Sequence, residues 1–199
     1  MSSELTRMER ERTVRRLQDE ALRLAGTVGM RRATVEALAA GAGISKSAFY
    51  RFFESKELLF LSVLERVHND MYGSAERVLA ARADLPLFER VALAVREVCR
   101  VLDERQLMPF IREEKDLMLS RVPESARREH SVSDEDRIRR LMALSGARFT
   151  ADADTVCAVV RLLLLTLLFK REVGDRYDEA LRLMVNGACG VLVAESQRN

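Results

Sequence analysis

The chain has 199 residues, 48% hydrophobic and 32% charged, with a formal net charge of +2. That is enough apolar material to bury a core and far from the disordered range, while the charge by itself argues neither for nor against nucleic acid. Few glycines and prolines, no tryptophan, and an apolar content leaning on Leu, Ala, Val and Met favour helices over sheets, so the expected class is all-α.

In chain order, Val14, Leu17, Ala21, Leu24 and Val28 recur at helical spacing and Gly29 supplies a stop. Thr34 is positioned to cap a short helix with the apolar face Val35, Leu38 and Ala39, and Gly41–Gly43 breaks the chain soon after. Ser45 caps a third helix, Lys46 to Phe52, and Ser55 a fourth that runs from Lys56 towards Arg82. Beyond the break at Ala83–Pro86, helices are expected through Phe88 to Leu102, from Pro109 through Met118, and from Pro123 to Leu144, the last with a nearly all-polar stretch from Ala126 to Arg137. Asp152 or Asp154 caps a very apolar helix that runs through Phe169 and ends near Gly174, and Tyr177 to Glu195 forms the last, about nine helices in all.

The N-terminus is charged and lacks an apolar h-region, and the most apolar run, Val156 to Phe169, is interrupted by Arg161 and shorter than the roughly 20 residues of a membrane span. A signal peptide and a membrane anchor are therefore not expected, and the location is expected to be cytoplasmic. Cys99, Cys157 and Cys189 are far apart and sit inside apolar helical patterns, which reads as buried reduced thiols.

The first 60 residues hold eleven Lys or Arg against eight Asp or Glu, a mild basic excess on the segment that also contains GAGISKSAFYRFFESKELL, Gly41 to Leu59. Two short capped helices joined by a tight glycine turn make a helix-turn-helix. The second helix is too short to stand alone, so packing must hold it. Phe49, Phe52 and Phe53 share its inward face at i, i+3 and i+4, while Lys46, Ser47, Tyr50 and Arg51 fall on other faces. Lys, Arg, Ser, Thr and Tyr side chains and helix N-termini make phosphate contacts, and Lys or Arg reads guanine. The candidate DNA-binding set is Thr34, Ser45, Lys46, Ser47, Phe49, Tyr50, Arg51 and Lys56.

This stretch resembles the TetR family of bacterial transcriptional regulators, whose N-terminal domain reads T-x-x-x-I-A-x-x-A-G-V-S-x-G-x-x-Y-x-x-F-x-x-K-x-x-L. Thr34, Leu38-Ala39, Ala42-Gly43-Ile44-Ser45, Tyr50, Phe53, Lys56 and Leu59 fall on the pattern; Ser47 stands where the family prefers Gly, and Ala25 where its first helix usually carries Phe. The resemblance is specific over about residues 14–65. It implies a DNA-binding domain at 1–54 and a helical ligand-binding and dimerisation domain at 55–199. It further implies a homodimer on double-stranded DNA, repressing a promoter until a small molecule releases it.

VVRLLLLTLLF is apolar around nearly its whole circumference, and Gly187, Ala188 and Gly190 offer a surface for close helix approach. The expected dimer face is Leu163, Leu167, Met184, Gly187 and Val191. A largely apolar effector pocket is expected among Cys99, Met108, Phe110, Glu113, Met118, Met142 and Phe169, although the plainer reading of each is bundle core. The effector's identity is not readable.

Two rival functions stand beside this one. Glu65 to His68 has the Glu-x-x-His spacing of helical di-iron bundles, but the other histidine, His130, is preceded at that spacing by Arg127. No nucleophile signature is present, so the expectation is no enzyme, no metal and no cofactor. The second rival is a helical DNA-binding dimer without an effector, acting architecturally or through a protein partner.

Overall fold

The computed structural model describes residues 2–194. These residues are helical apart from their connections, and extended pairing is limited to one bridge between Phe149 and Val193. The helices are α1 (Ser2–Ala25), α2 (Gly29–Arg32), α3 (Val35–Gly41), α4 (Lys46–Phe49), α5 (Lys56–Ala81), α6 (Leu87–Glu104), α7 (Met108–Glu113), α8 (Lys115–Arg121), α9 (Glu124–Ser145), α10 (Ala153–Leu165), α11 (Lys170–Val173) and α12 (Tyr177–Leu192). A 3-10 turn, Thr166–Phe169, joins α10 to α11, and Gly174–Arg176 forms another before α12.

Local chemistry accounts for most of these boundaries. The hydroxyls of Thr34 and Ser45 and the carboxylate of Asp152 each accept from a backbone N–H three residues on, at 3.1, 3.1 and 2.9 Å, which satisfies one orphan donor per helix start. Ser55 does the same for Leu58 at 3.2 Å. Gly43, Gly146 and Gly174 adopt φ near +70° just after α3, α9 and the α10–α11 run, the left-handed conformation that glycine takes without strain.

Three expectations are corrected. The third helix of the corner stops at Phe49 rather than Phe52, because Arg51 and Phe52 donate to the carbonyls three residues back and tighten the chain into turns. The stretch expected to be a stop contains a further short helix, α2. The count of helices also exceeds nine because α2 is new, the Pro109 helix is broken into α7 and α8, and the apolar run is interrupted by a 3-10 turn. Along α9 the polar stretch is helical, held by Arg140 to Glu76 at 2.8 Å, Arg137 to Asn69 at 2.6 Å, and Arg139 to Asp154.

Packing divides the chain into two compact units. The first holds the chain up to Arg66 and takes in Arg105–Arg127. Leu17, Met30, Leu38, Phe49, Leu59, Phe60, Leu107 and Met118 are fully buried in it, and the rings of Phe60 and Phe110 lie 5.5 Å apart. The segment of α7 and α8 contributes its apolar side chains to this core. The second unit holds Val67–Glu104 and the chain from Arg128 on. One of its clusters joins α6, α10 and α12 through Ala92, Leu163, Val185 and Cys189; another joins α5, α9 and α10 through Tyr72, Ile138 and Cys157. All three cysteines are buried and reduced.

Candidate nucleic-acid interface

The corner is built from α3, the turn Ala42–Ile44 and α4. Ile44 donates its backbone N–H to the Ala39 carbonyl at 2.9 Å, which closes the turn, and Gly43 at φ +70° makes that closure possible. Leu38, Ala39, Ala42 and Phe49 are buried, with α3 packed against both α1 and α4. What remains outside is Thr34, Ser45, Lys46, Ser47, Tyr50 and Arg51, all exposed.

The exposed groups are ordered by their neighbours. Ser45 and Ser47 share a hydrogen bond of 3.0 Å between hydroxyls. Lys46 reaches back from α4 to Glu36 on α3 at 2.5 Å. The hydrogen bond between them holds the Glu36 carboxyl below the usual carboxylate range and lifts the Lys46 ammonium above its ordinary value. Tyr50 is 50% exposed with its ring edge-on to Phe49 at 5.4 Å, so its hydroxyl stands on a rigid base.

Two members of the candidate set occupy other positions. Phe49 is fully buried, so it supports α4 from behind and presents nothing to a nucleic acid. The Lys56 ammonium donates to the carbonyls of Met30 at 2.8 Å, Arg31 at 3.3 Å and Ala33 at 2.8 Å. All three of its donors are thereby directed to the C-terminal end of α2, a stabilising placement for a cation.

Glu114, which with Arg112 and Glu113 interrupts the apolar pattern near Phe110, has a role that sequence reasoning does not assign. Its carboxylate accepts from the backbone N–H groups of Met30 and, at 3.2 Å, Arg31, at the start of α2. An acid thus closes one end of α2 and a base the other. No local signal points to that role, because its partners lie more than 80 residues away.

Elsewhere the candidate residues disperse. A small cavity of about 60 Å³ in the second unit is lined by Tyr72, Leu79, Val91, Ala94, Val95, Val98, Ile138, Leu141, Met142, Ser145, Phe149, Val156 and Val160. Of the expected pocket residues only Met142 lines it. Met108, Phe110 and Met118 are buried in the first unit, where Phe110 and Glu113 line a separate pocket of about 360 Å³ beside Gly29 and Glu114; Cys99 is core, and Phe169 is 58% exposed. On the last helices, Leu163 and Leu167 point into their own unit, whereas Met184 and Val191 are exposed and Gly187 has open space above it. Leu162, Leu165, Phe169 and Leu183 join that exposed apolar face.

His68 stacks on His130 with ring centroids 5.2 Å apart. Among the described residues no group of three or more His, Cys, Asp or Glu side chains could hold a metal ion, and no helix is long and apolar enough to cross a membrane.

Comparison with known proteins agrees with this geometry. Residues 17–63 match the family described as bacterial regulatory proteins, tetR family. The nucleoid occlusion factor SlmA of Actinobacillus pleuropneumoniae is 42% identical over 45 residues, which are 23% of this chain and 22% of that protein's length. A TetR family transcription regulator from Marinobacter aquaeolei VT8 superimposes with a TM-score of 0.67 at 16% identity, over 95% of this chain and all of that one. E. coli NemR in its reduced form does so with a TM-score of 0.66 at 16% identity, over 92% and 99%. Residues 17–63 thus form a domain of the tetR family of bacterial regulatory proteins, and the chain as a whole has the fold of solved TetR family regulators.

Proposed function

We propose that this protein is a repressor that binds a palindromic operator as a homodimer and is released by a small, largely apolar effector. The observation that carries the reading is the corner itself: a buried Phe49 behind α4 and, in front, a hydroxyl- and cation-rich ridge of Thr34, Ser45, Lys46, Ser47, Tyr50 and Arg51. In this reading Thr34, Ser45 and Tyr50 hold phosphates, and Lys46, Ser47 and Arg51 face base edges. Residues 1–54 read DNA, and 55–199 provide the effector and dimer surfaces. The protein works in the cytoplasm.

The exposed Leu162, Leu165, Leu183, Met184 and Val191 of α10 and α12 support a homodimer, since so many large apolar side chains on two helices are rarely left to water. A two-fold pair implies half-sites about 34 Å or a multiple of it apart. A cavity of about 60 Å³ is far below the roughly 300 Å³ at which ligand sites begin, so an effector has to part α6, α9 and α10 to enter. Within the second unit that small volume favours a second reading, a DNA-binding dimer controlled without an effector there.

Selection of bound duplexes from a random pool tests the first claim. Enrichment of a two-fold symmetric site is the expected outcome, and a protein that retains no duplex at low salt refutes it. Apolar compounds that raise the melting temperature and release the selected duplex would separate the first reading from the second.

A further inference from the structure

We propose that Arg10 and Arg16 of α1 contact DNA phosphates on the two flanks of α4, extending the interface beyond the helix-turn-helix. This rests on the DNA-binding reading above. Neither residue lies within the matched stretch 17–63.

Each arginine is tied to one end of α4. Arg10 donates to the Arg51 carbonyl at 3.3 Å, and its guanidinium lies over the Phe52 ring at 5.2 Å, just past the C-terminal end. Arg16 donates to Thr13 at 3.2 Å, and one of its nitrogens stands 3.5 Å from where a Cβ on Gly43 would be, in the turn that leads into α4. The two are six residues apart, about 9 Å along α1, and both are exposed.

Charge separates these two from Arg7 and Arg23, and their hold at the ends of α4 separates them from Arg12 and Arg15, which are exposed on α1. Arg7 is matched by Glu11 at 3.6 Å and Arg23 by Glu20 at 2.6 Å. Among the described residues, Arg10 and Arg16 form no ion pair, and the hydrogen bonds above go to neutral oxygens. Each guanidinium has five donors, of which those bonds occupy one, so a full charge and several N–H groups remain beside the ridge that faces DNA. Phosphate is the ligand that such held, unneutralised guanidinium groups recognise.

The test uses the full chain and the duplex obtained by selection, with affinity measured by fluorescence anisotropy between 50 and 200 mM KCl. Arg10→Ala and Arg16→Ala are each expected to weaken binding about tenfold at the lowest salt and to flatten the slope of log K against log salt by about 0.9 for each phosphate no longer neutralised. Arg16→Lys should keep the slope. Arg15→Ala, an exposed arginine about 100° around the helix from Arg16, should leave both quantities at wild-type values. Melting by circular dichroism records whether each variant folds, and Gln replaces Ala at any position where the alanine variant does not. Wild-type slope and affinity in both Arg10 and Arg16 variants would overturn the proposal while leaving the helix-turn-helix reading intact. A wild-type protein that binds no duplex would overturn both.

Discussion

The ammonium of Lys56 donates to the carbonyl of Met30 at 2.8 Å, and to Ala33 at the same distance, from the first turn of α5. It is a clamp on the end of α2, not a hand held out to a phosphate. Lys56→Met should therefore cost about 1.5–3 kcal/mol of stability, the range for hydrogen bonds to a charged group. Its effect on DNA binding should track the loss of folded protein, with the salt slope of the folded fraction unchanged. Thermal melting and anisotropy at several salt concentrations check the two halves.

At the other end of α2, Gly29 has φ +78°, and a Cβ there would stand 2.8 Å from the Glu114 carboxylate. Gly29→Ala meets both penalties. It should destabilise by about 2 kcal/mol, the scale of a non-glycine residue in the left-handed region plus displacement of a buried acid. Glu114→Ala should cost about 1–3 kcal/mol by leaving the Met30 and Arg31 N–H groups without their acceptor. If the two effects act through the same carboxylate, the double variant should fall short of their sum, which denaturant melts of all three proteins would measure.

These positions mark where sequence reading succeeds and fails. Thr34, Ser45, Ser55 and Asp152 act on N–H groups three residues away, so their capping is visible locally, and with it the corner and most helix starts. Helix α2 spans four residues and is secured by Glu114, 84 positions from Met30, so nothing nearby announces it. Met108, Phe110 and Met118 carry the composition of a pocket, yet which helices they meet depends on residues 105–127 joining the first unit. The distinction between Leu162 and Leu163, 65% and 5% exposed, is a single step of about 100° around a helix that is apolar on nearly all sides. Periodicity has no contrast there to work with.

Lys46 on the proposed reading face is held by Glu36 at 2.5 Å, and that pairing must be given up before the ammonium can meet DNA. Glu36→Gln frees Lys46 and removes a negative charge from the ridge. Affinity for DNA should rise by about three- to tenfold at low salt, with the rise fading as salt screens the surface. Titration of wild type and variant at 50 and 200 mM KCl checks this, and equal affinities would show that Lys46 does not approach the duplex.

In the second unit, the Arg100 hydrogen bond draws the Glu97 carboxyl down from the ordinary 4.5 to about 2, with the Ser74 hydroxyl adding to it. A depressed acid stabilises the folded chain above its unfolded pKa and loses that contribution as pH falls through the folded value. Glu97→Gln should thus lower the melting temperature at pH 7, and the gap to wild type should close between about pH 4.5 and pH 2. Calorimetry at pH 7, 4.5 and 2.5 reads the trend, and a gap independent of pH would assign the loss to packing.

The exposed face of α10 and α12 separates association from folding. Val191 is 73% exposed and Gly187 has nothing above it, whereas Leu163 is 5% exposed within the cluster of Ala92, Val185 and Cys189. Val191→Glu places a charge on the proposed interface without touching the core of its own protomer. It should give a folded monomer with weak operator affinity, because one half-site alone must then supply the binding. Leu163→Ala instead opens a cavity in the protomer and should cost about 2–5 kcal/mol, with association reduced only as far as folding is. Sedimentation at several concentrations beside thermal melting tells the two apart. A Val191→Glu protein that still sediments as a dimer would move the interface to another surface.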